Sequence, residues 1–320
     1  MSDGTWQESE YKGMCSVVGE TSELRVEIVP GRGGKLVSFI SKSSGKEWAF
    51  QTEVPWKPLT YGMMWDEGDR SGWDEMFPTI LACPCPDHPW RGTEYPDHGE
   101  VWTLPWDFEL HKDRLRMWVH GVKVPYQFAK TYTISGGTLY TTYEVHNPTP
   151  YPFSYLWCAH NLLAVSPGMQ LLVPDNLDTV QYQYSHQNRL TERAYGRSSF
   201  PFVNGTAVNL SVIEPNLGEH AEKYWFEGDL TDGHTGIFDP ASGETLGYSF
   251  SPEDVPYLAV WANYGAFNGD YTFALEPATG YLDDVYIASV MNKVKSVPAM
   301  SQTKWTFDIS ITKERTSHEI

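Results

Sequence analysis

The sequence is short of positive charge, of cysteine and of helical periodicity. Twenty-three Lys and Arg face 41 Asp and Glu in 320 residues, a formal net charge of −18. A field of that sign repels phosphate backbones and anionic lipid surfaces, so nucleic acid is not an expected partner. The four cysteines, at 15, 83, 85 and 158, are too few for a disulfide scaffold. A chain of this length buries roughly 75% of its unfolded surface and needs no such staples. Only Cys83-Pro84-Cys85 forms a close pair, and one CxC without a second is a weak metal signature, so reduced thiols in a proline-rich turn are expected there. No run approaches the ~18 consecutive apolar residues of a membrane helix, and the opening MSDGTWQESE lacks the basic-then-apolar order of a signal peptide. The expectation is a cytoplasmic protein with no membrane segment and reduced cysteines. Pro/Ser-rich linkers, low-complexity tracts and short-period repeats are missing as well.

What the chain has is period-two alternation. Leu24 to Ile28, Leu115 to Val119, Phe128 to Ile134, Leu139 to Val145 and Trp305 to Ile311 each alternate apolar with polar side chains, the mark of half-buried strands in antiparallel sheets. With 27 Gly and 22 Pro the chain is punctuated at short intervals, and Ser135-Gly136-Gly137 is set as a hairpin turn. One short helix is expected around Asn216 to Tyr224. Gly31-Arg32-Gly33-Gly34-Lys35 lacks the spacing and the Ser/Thr of a phosphate loop, so a turn before a strand is expected. Length alone would allow two domains, but all-β folds of this size commonly form one unit. The expected fold is therefore all-β, a single large antiparallel β-sandwich over residues 1–320, with about 1–15 and 313–320 as loose ends.

Three segments place ionisable residues among apolar or aromatic neighbours: Pro96 to Trp102, containing His98; Tyr155 to Leu163, containing His160; and Phe273 to Gly280, containing Glu276. His160 and Glu276 interrupt runs that otherwise belong to core strands. A buried polar group without a partner costs about 1–3 kcal/mol, so each is expected to face a pocket or the other, or to form a structural pair in the core. His98-x-Glu100 with His88 lacks a third convergent ligand, and no metal is expected.

These segments resemble the aldose 1-epimerase (galactose mutarotase-like) superfamily, nearest its hexose-6-phosphate mutarotase branch. Glu276 in Leu-Glu-Pro-Ala-Thr matches a late carboxylate that is the general base there. His160 in Ala-His-Asn-Leu is similar to the family's general-acid histidine. His98-Gly99 resembles an earlier histidine that assists at the ring oxygen. Asp69 to Pro78 resembles a segment whose arginine, here Arg70, holds the substrate. The four motifs keep their order over roughly residues 20 to 312. The resemblance implies a galactose mutarotase-like supersandwich and a cofactor-independent isomerase that interconverts the α and β anomers of a hexose or modified hexose. The family's arginine after the first histidine motif is replaced within Glu100-Val101-Trp102, which leans away from a phosphorylated sugar. Arg70, Arg32, Arg91 and Lys123 remain as a candidate anionic pocket.

The residue types suit that chemistry. A base removes the O1 proton, an acid protonates the ring oxygen, and the opened aldehyde recloses on its other face. A Glu276 carboxylate with a His160 imidazolium would exchange roles at each turnover and give a bell-shaped pH profile. Aromatic rings supply flat faces for a sugar, with Trp65, Trp73, Trp102, Trp157 and Trp261 as candidates and core packing as the alternative for each one. Asp74 is a candidate acceptor of sugar hydroxyls. Two other readings stay open: a non-catalytic carbohydrate-binding or sensing protein, and a glycoside-cleaving enzyme that pairs Glu276 with Asp74 or Glu75. The expected partner is a small sugar, with a homodimer left open.

Overall fold

Alternating side chains give each strand two faces, and the way those faces are covered sets the layers. A computed structural model describes residues 4–193, 195–216, 218 and 220–313. Eleven strands form the larger sheet. Its order runs Thr5–Tyr11, Met14–Glu20, Leu24–Val29, Lys35–Ser41, Trp73–Met76, Cys158–Ala164, Tyr271–Ala278, Tyr257–Tyr264, His220–Phe226, Thr179–Ser185 and Arg197–Ser199. Eight strands form the second, centred on Thr138–Asn147 and Ser301–Thr312. All strand pairs are antiparallel, as the alternation predicts.

The two sheets differ in how much of them is covered. Thr138–Asn147 alternates buried with open positions, so its outer face meets solvent. Cys158–Ala164 and Tyr271–Ala278 are buried almost throughout, so loops cover the outer face of the larger sheet as well. Between the sheets lies an aromatic core, in which Tyr143 stacks on Trp305 at 5.1 Å between ring centres and Trp157 packs against Trp305 at 5.5 Å. Such pairs add about 0.5–1.5 kcal/mol each beyond their buried area. The hairpin at Gly136-Gly137 joins Gln127–Ser135 to Thr138–Asn147, and Gly136 takes a φ of +53°, which glycine adopts without a Cβ clash. All four cysteines are free, three of them buried. No helix among the described residues is long and apolar enough to cross a membrane.

Two expectations are corrected. The chain from Thr5 onward is not loose: Thr5–Tyr11 pairs with Met14–Glu20, and Trp6 is buried. The tail beyond Lys313 and residues 1–3 lie outside the described residues. The helix expected over Asn216 to Tyr224 is a strand from His220, because Lys223-Tyr224-Trp225-Phe226 finds strand partners on both sides and its aromatics pack better on a pleated surface than in a helix. A short helix forms instead at Val285–Val290, where the Asp284 side chain accepts from the backbone N–H groups of Tyr286 and Ile287 at 2.7 and 3.0 Å.

Candidate active site

Strand register gathers the candidate residues. His160 pairs with Asp74 across one neighbouring strand. On the other side Cys158 lies opposite Ala278 and Leu162 opposite Ala274, which sets His160 and Glu276 level between those pairs on one face. Glu276 in turn pairs with Ala259, and Trp261, two residues on, pairs with Lys223. Asp74, His160, Glu276, Trp261 and Lys223 therefore share one face of the larger sheet, because cross-strand partners and residues two apart point the same way. It is the face turned away from the second sheet.

Over it opens a cavity of about 440 Å³, lined among others by Trp65, His98, His160, Lys223, Trp261 and Glu276. The Glu276 carboxylate is buried and accepts a hydrogen bond from the Lys223 ammonium. Lys223 Nζ also lies 3.8 Å from Asp283 Oδ1, which accepts from Trp225 Nε1 at 2.9 Å. The two imidazoles form a cluster with Trp65. Its indole stacks on His98 at 5.4 Å and meets His160 edge-on at 4.8 Å, and the two imidazoles lie 5.0 Å apart. Beneath them Trp65 Nε1 donates to Asp74 Oδ2 at 3.1 Å. Asp97 Oδ2 accepts from Trp65 N at 3.0 Å and lies 3.0 Å from His98 Nδ1, in an alignment that does not make a hydrogen bond. His98 is held in place by Gly99. At φ +72° a Cβ on Gly99 would sit 2.1 Å from the Phe77 carbonyl oxygen, so no larger residue fits.

The electrostatics of the cavity depart from the expectation. Burial, followed by the electrostatic influence of His98, Lys223 and Lys35, pushes the His160 imidazole well below its usual range. His160 is neutral at neutral pH, and the imidazolium starting state is corrected accordingly. Its buried Nδ1 has no partner among the described residues. Asp74 is raised by burial, and Lys35 and the Trp65 indole offset this only in part. Asp69 goes the other way: against its burial, Lys35, the Ser71 hydroxyl and Arg32 hold the carboxyl well below the usual range.

Not every expected residue reaches the cavity. Trp73, next in sequence to Asp74, faces the opposite way; it packs on Phe39 at 4.8 Å and donates to the Leu162 carbonyl. Trp102 is buried and donates to the Asp97 carbonyl. Both are core residues, and Trp261 and Trp65 are the tryptophans that line the cavity. Asp74 is shielded beneath Trp65 and does not line it. Glu75 faces the sandwich interior, where Lys130, Tyr143 and Trp157 all hydrogen-bond its carboxylate. Neither carboxylate stands across the cavity from Glu276, which removes the glycoside-cleaving pairs. Arg70 lines the cavity, bonded through Nε to Asp270 at 2.8 Å. Arg32 is tied to Asp69, Arg91 to the Pro86 carbonyl, and Lys123 sits near the Tyr61 ring, so the four cations do not form an anionic pocket. Glu100 is bonded by Tyr61, Tyr126 and the Lys123 backbone N–H, which removes it as a ligand beside His98. Lys223 was not expected. Its one signal in the sequence, a lysine directly before a run of three aromatics, lay in the segment assigned to a helix.

No family model matches the sequence, and no curated protein does. Solved structures do resemble the chain. A protein of Synechocystis sp. PCC 6803 aligns over 93% of this chain and 95% of its own, with a TM-score of 0.69 and 16% identity. A galactose mutarotase-like protein of Lactobacillus casei aligns over 93% and 100%, at 0.66 and 16%. A galactose mutarotase related enzyme of Lactobacillus acidophilus aligns over 92% and 97%, at 0.63 and 13%. At such identities the likeness establishes the fold: this chain has the large antiparallel sandwich of galactose mutarotase-like proteins.

Proposed function

We propose that the chain is a cofactor-independent aldose 1-epimerase acting on a hexose or modified hexose. One observation carries the reading: His98, His160, Glu276 and Lys223 share a single cavity, in which the buried His160 Nδ1 has no hydrogen-bond partner among the described residues. In this reading the Glu276 carboxylate takes the O1 proton as the C1–O5 bond breaks. A neutral His160 does not give up its N–H proton readily, so its part is to hydrogen-bond the substrate, with His98, near the ring oxygen. The proton for O5 comes from the Lys223 ammonium, and Lys223 recovers it from the newly protonated Glu276 through their hydrogen bond. The proton count closes without solvent: one proton leaves O1 and one reaches O5. Rotation about C1–C2 and the reverse sequence give the other anomer. Trp65 and Trp261 offer ring faces to the sugar's C–H surfaces.

A second reading has an observation of its own. The Lys223 ammonium already engages the Glu276 carboxylate, as would suit a protein that binds a sugar without converting it. NMR exchange between α and β anomer signals, on glucose, galactose, glucose 6-phosphate and a sulfonated hexose, separates the two. Exchange accelerated by the wild type and not by Glu276→Gln supports the epimerase. Sugar line-broadening by both proteins without acceleration supports the binding protein.

A further inference from the structure

The catalytic cavity is not closed at its far side. Arg70, Asn268 and Asp270 line it and also line a second, more open hollow of about 590 Å³, whose other wall includes Phe50, Glu53 and Val54. Together the two spaces reach the top of the range of about 300–1,000 Å³ usual for small-molecule sites, more than one pyranose needs.

The residues lining the second hollow have unused hydrogen-bonding capacity of both kinds. Arg70 spends only Nε on Asp270 Oδ2, which leaves its two terminal nitrogens and the other Asp270 oxygen available. The Asn268 and Glu53 side chains have no hydrogen-bond partner among the described residues. Donors and acceptors side by side suit hydroxyl groups, each of which is both. The charge is wrong for a phosphate or sulfate, since two carboxylates stand against one guanidinium. Phe50 and Tyr271 add ring surface, and Tyr271 is held by a hydrogen bond from its hydroxyl to the Glu214 carbonyl at 2.5 Å. The ligand that fits is neutral, rich in hydroxyls and longer than one ring.

We propose that the second hollow is a sugar subsite and that the substrate is the reducing end of an oligosaccharide, with its first ring beside Glu276 and its second beyond Arg70, Asn268 and Asp270. The inference rests on the epimerase reading for the chemistry, though not for the subsite. It is tested by anomer exchange on glucose and galactose against disaccharides that carry the same sugar at the reducing end, namely maltose, cellobiose and 1,4-linked galactobiose, with Val54→Trp as the blocking variant. Val54 lines only the second hollow. At least one disaccharide is expected to exceed its monosaccharide at least tenfold in kcat/KM. Val54→Trp should lose that advantage while monosaccharide exchange stays within twofold. Equal rates for monosaccharides and disaccharides, or a variant that slows both alike, overturns the subsite. If the wild type accelerates no sugar, the epimerase reading has failed and calorimetry on the methyl glycosides decides the subsite. A disaccharide glycoside bound at least tenfold tighter than its monosaccharide, with the gain lost in Val54→Trp, upholds it, and equal affinities overturn it.

Discussion

Lys223 and Glu276 stand on strands separated by a third, Tyr257–Tyr264, and their side chains close over it into an ion pair that the cavity wall buries. The offset makes this possible. Lys223 is paired with Trp261 and Glu276 with Ala259, so the two long side chains reach toward each other diagonally across the small Ala259. In proton transfer the pair can pass from carboxylate and ammonium to acid and amine without any change in its net charge, a useful property for a buried pair.

If Lys223 is the proton source, Lys223→Met should lower kcat/KM by about 10²–10⁴, as Glu276→Gln should, and Lys223→Arg should keep the ion pair but not the transfer. Anomer exchange rates measure this. Removing one partner of a buried pair leaves the other unpaired, so Lys223→Met should also cost about 3–5 kcal/mol, whereas the double variant with Glu276→Gln should cost less than the sum of the single ones. If Lys223→Met keeps most of its activity and His160→Asn loses it, the acid is His160.

The neutral state of His160 has a signature in stability. Its folded pKa lies well below 6.5, so as pH falls below 6.5 the unfolded chain takes up a proton that the folded chain refuses. Stability is then lost on acidification, at up to about 1.4 kcal/mol per pH unit from this group. His160→Asn should flatten that part of the dependence between pH 6.5 and 5. Urea unfolding of wild type and variant at pH 7.5, 6.5 and 5.5 measures the difference, and parallel curves would contradict a depressed imidazole.

Much of this was legible before any coordinates. Alternation named the antiparallel sheets, and His160 and Glu276 stood out because each breaks an apolar run. Facing direction was the obscure part. Trp73, Asp74 and Glu75 follow one another along a strand, so the middle residue points to one face and its neighbours to the other, and only pairing with Cys158–Ala164 tells which face holds the cavity. Lys223 was hidden for a different reason: His220-Ala221-Glu222-Lys223 has no alternation of its own, and its strand character comes from the partners on either side.

Trp65 packs against both imidazoles, and its indole N–H donates to Asp74 beneath it. Trp65→Phe keeps the ring stacking but removes the indole N–H, so Asp74, already raised by burial, loses a hydrogen bond that stabilises its charge. The expected cost is about 1–3 kcal/mol in unfolding free energy, together with a lower kcat as His98 and His160 loosen. Chemical denaturation and exchange rates on the same sample check both. A variant of wild-type stability would mean that the bond to Asp74 carries no net energy.

Glu75 gives the sharpest contrast with its neighbour on the strand, because it belongs to the core and not to the chemistry. The Lys130 ammonium beside it is fully surrounded by protein. Burial works to lower its pKa, but the Glu75 charge outweighs that and pushes it up to about 12. Glu75→Gln leaves that ammonium without its counter-ion and, by replacing one carboxylate oxygen with an amide NH2, removes the acceptor of either Tyr143 or Trp157. A loss of about 3–5 kcal/mol is expected, the usual cost of uncovering one half of a buried pair. Activity per folded molecule should be unchanged, since Glu75 points away from the cavity. Unfolding measured beside anomer exchange on the folded fraction tests this. A stable Glu75→Gln with lost activity would return Glu75 to the site and reopen the two-carboxylate chemistry that its position in the core argues against.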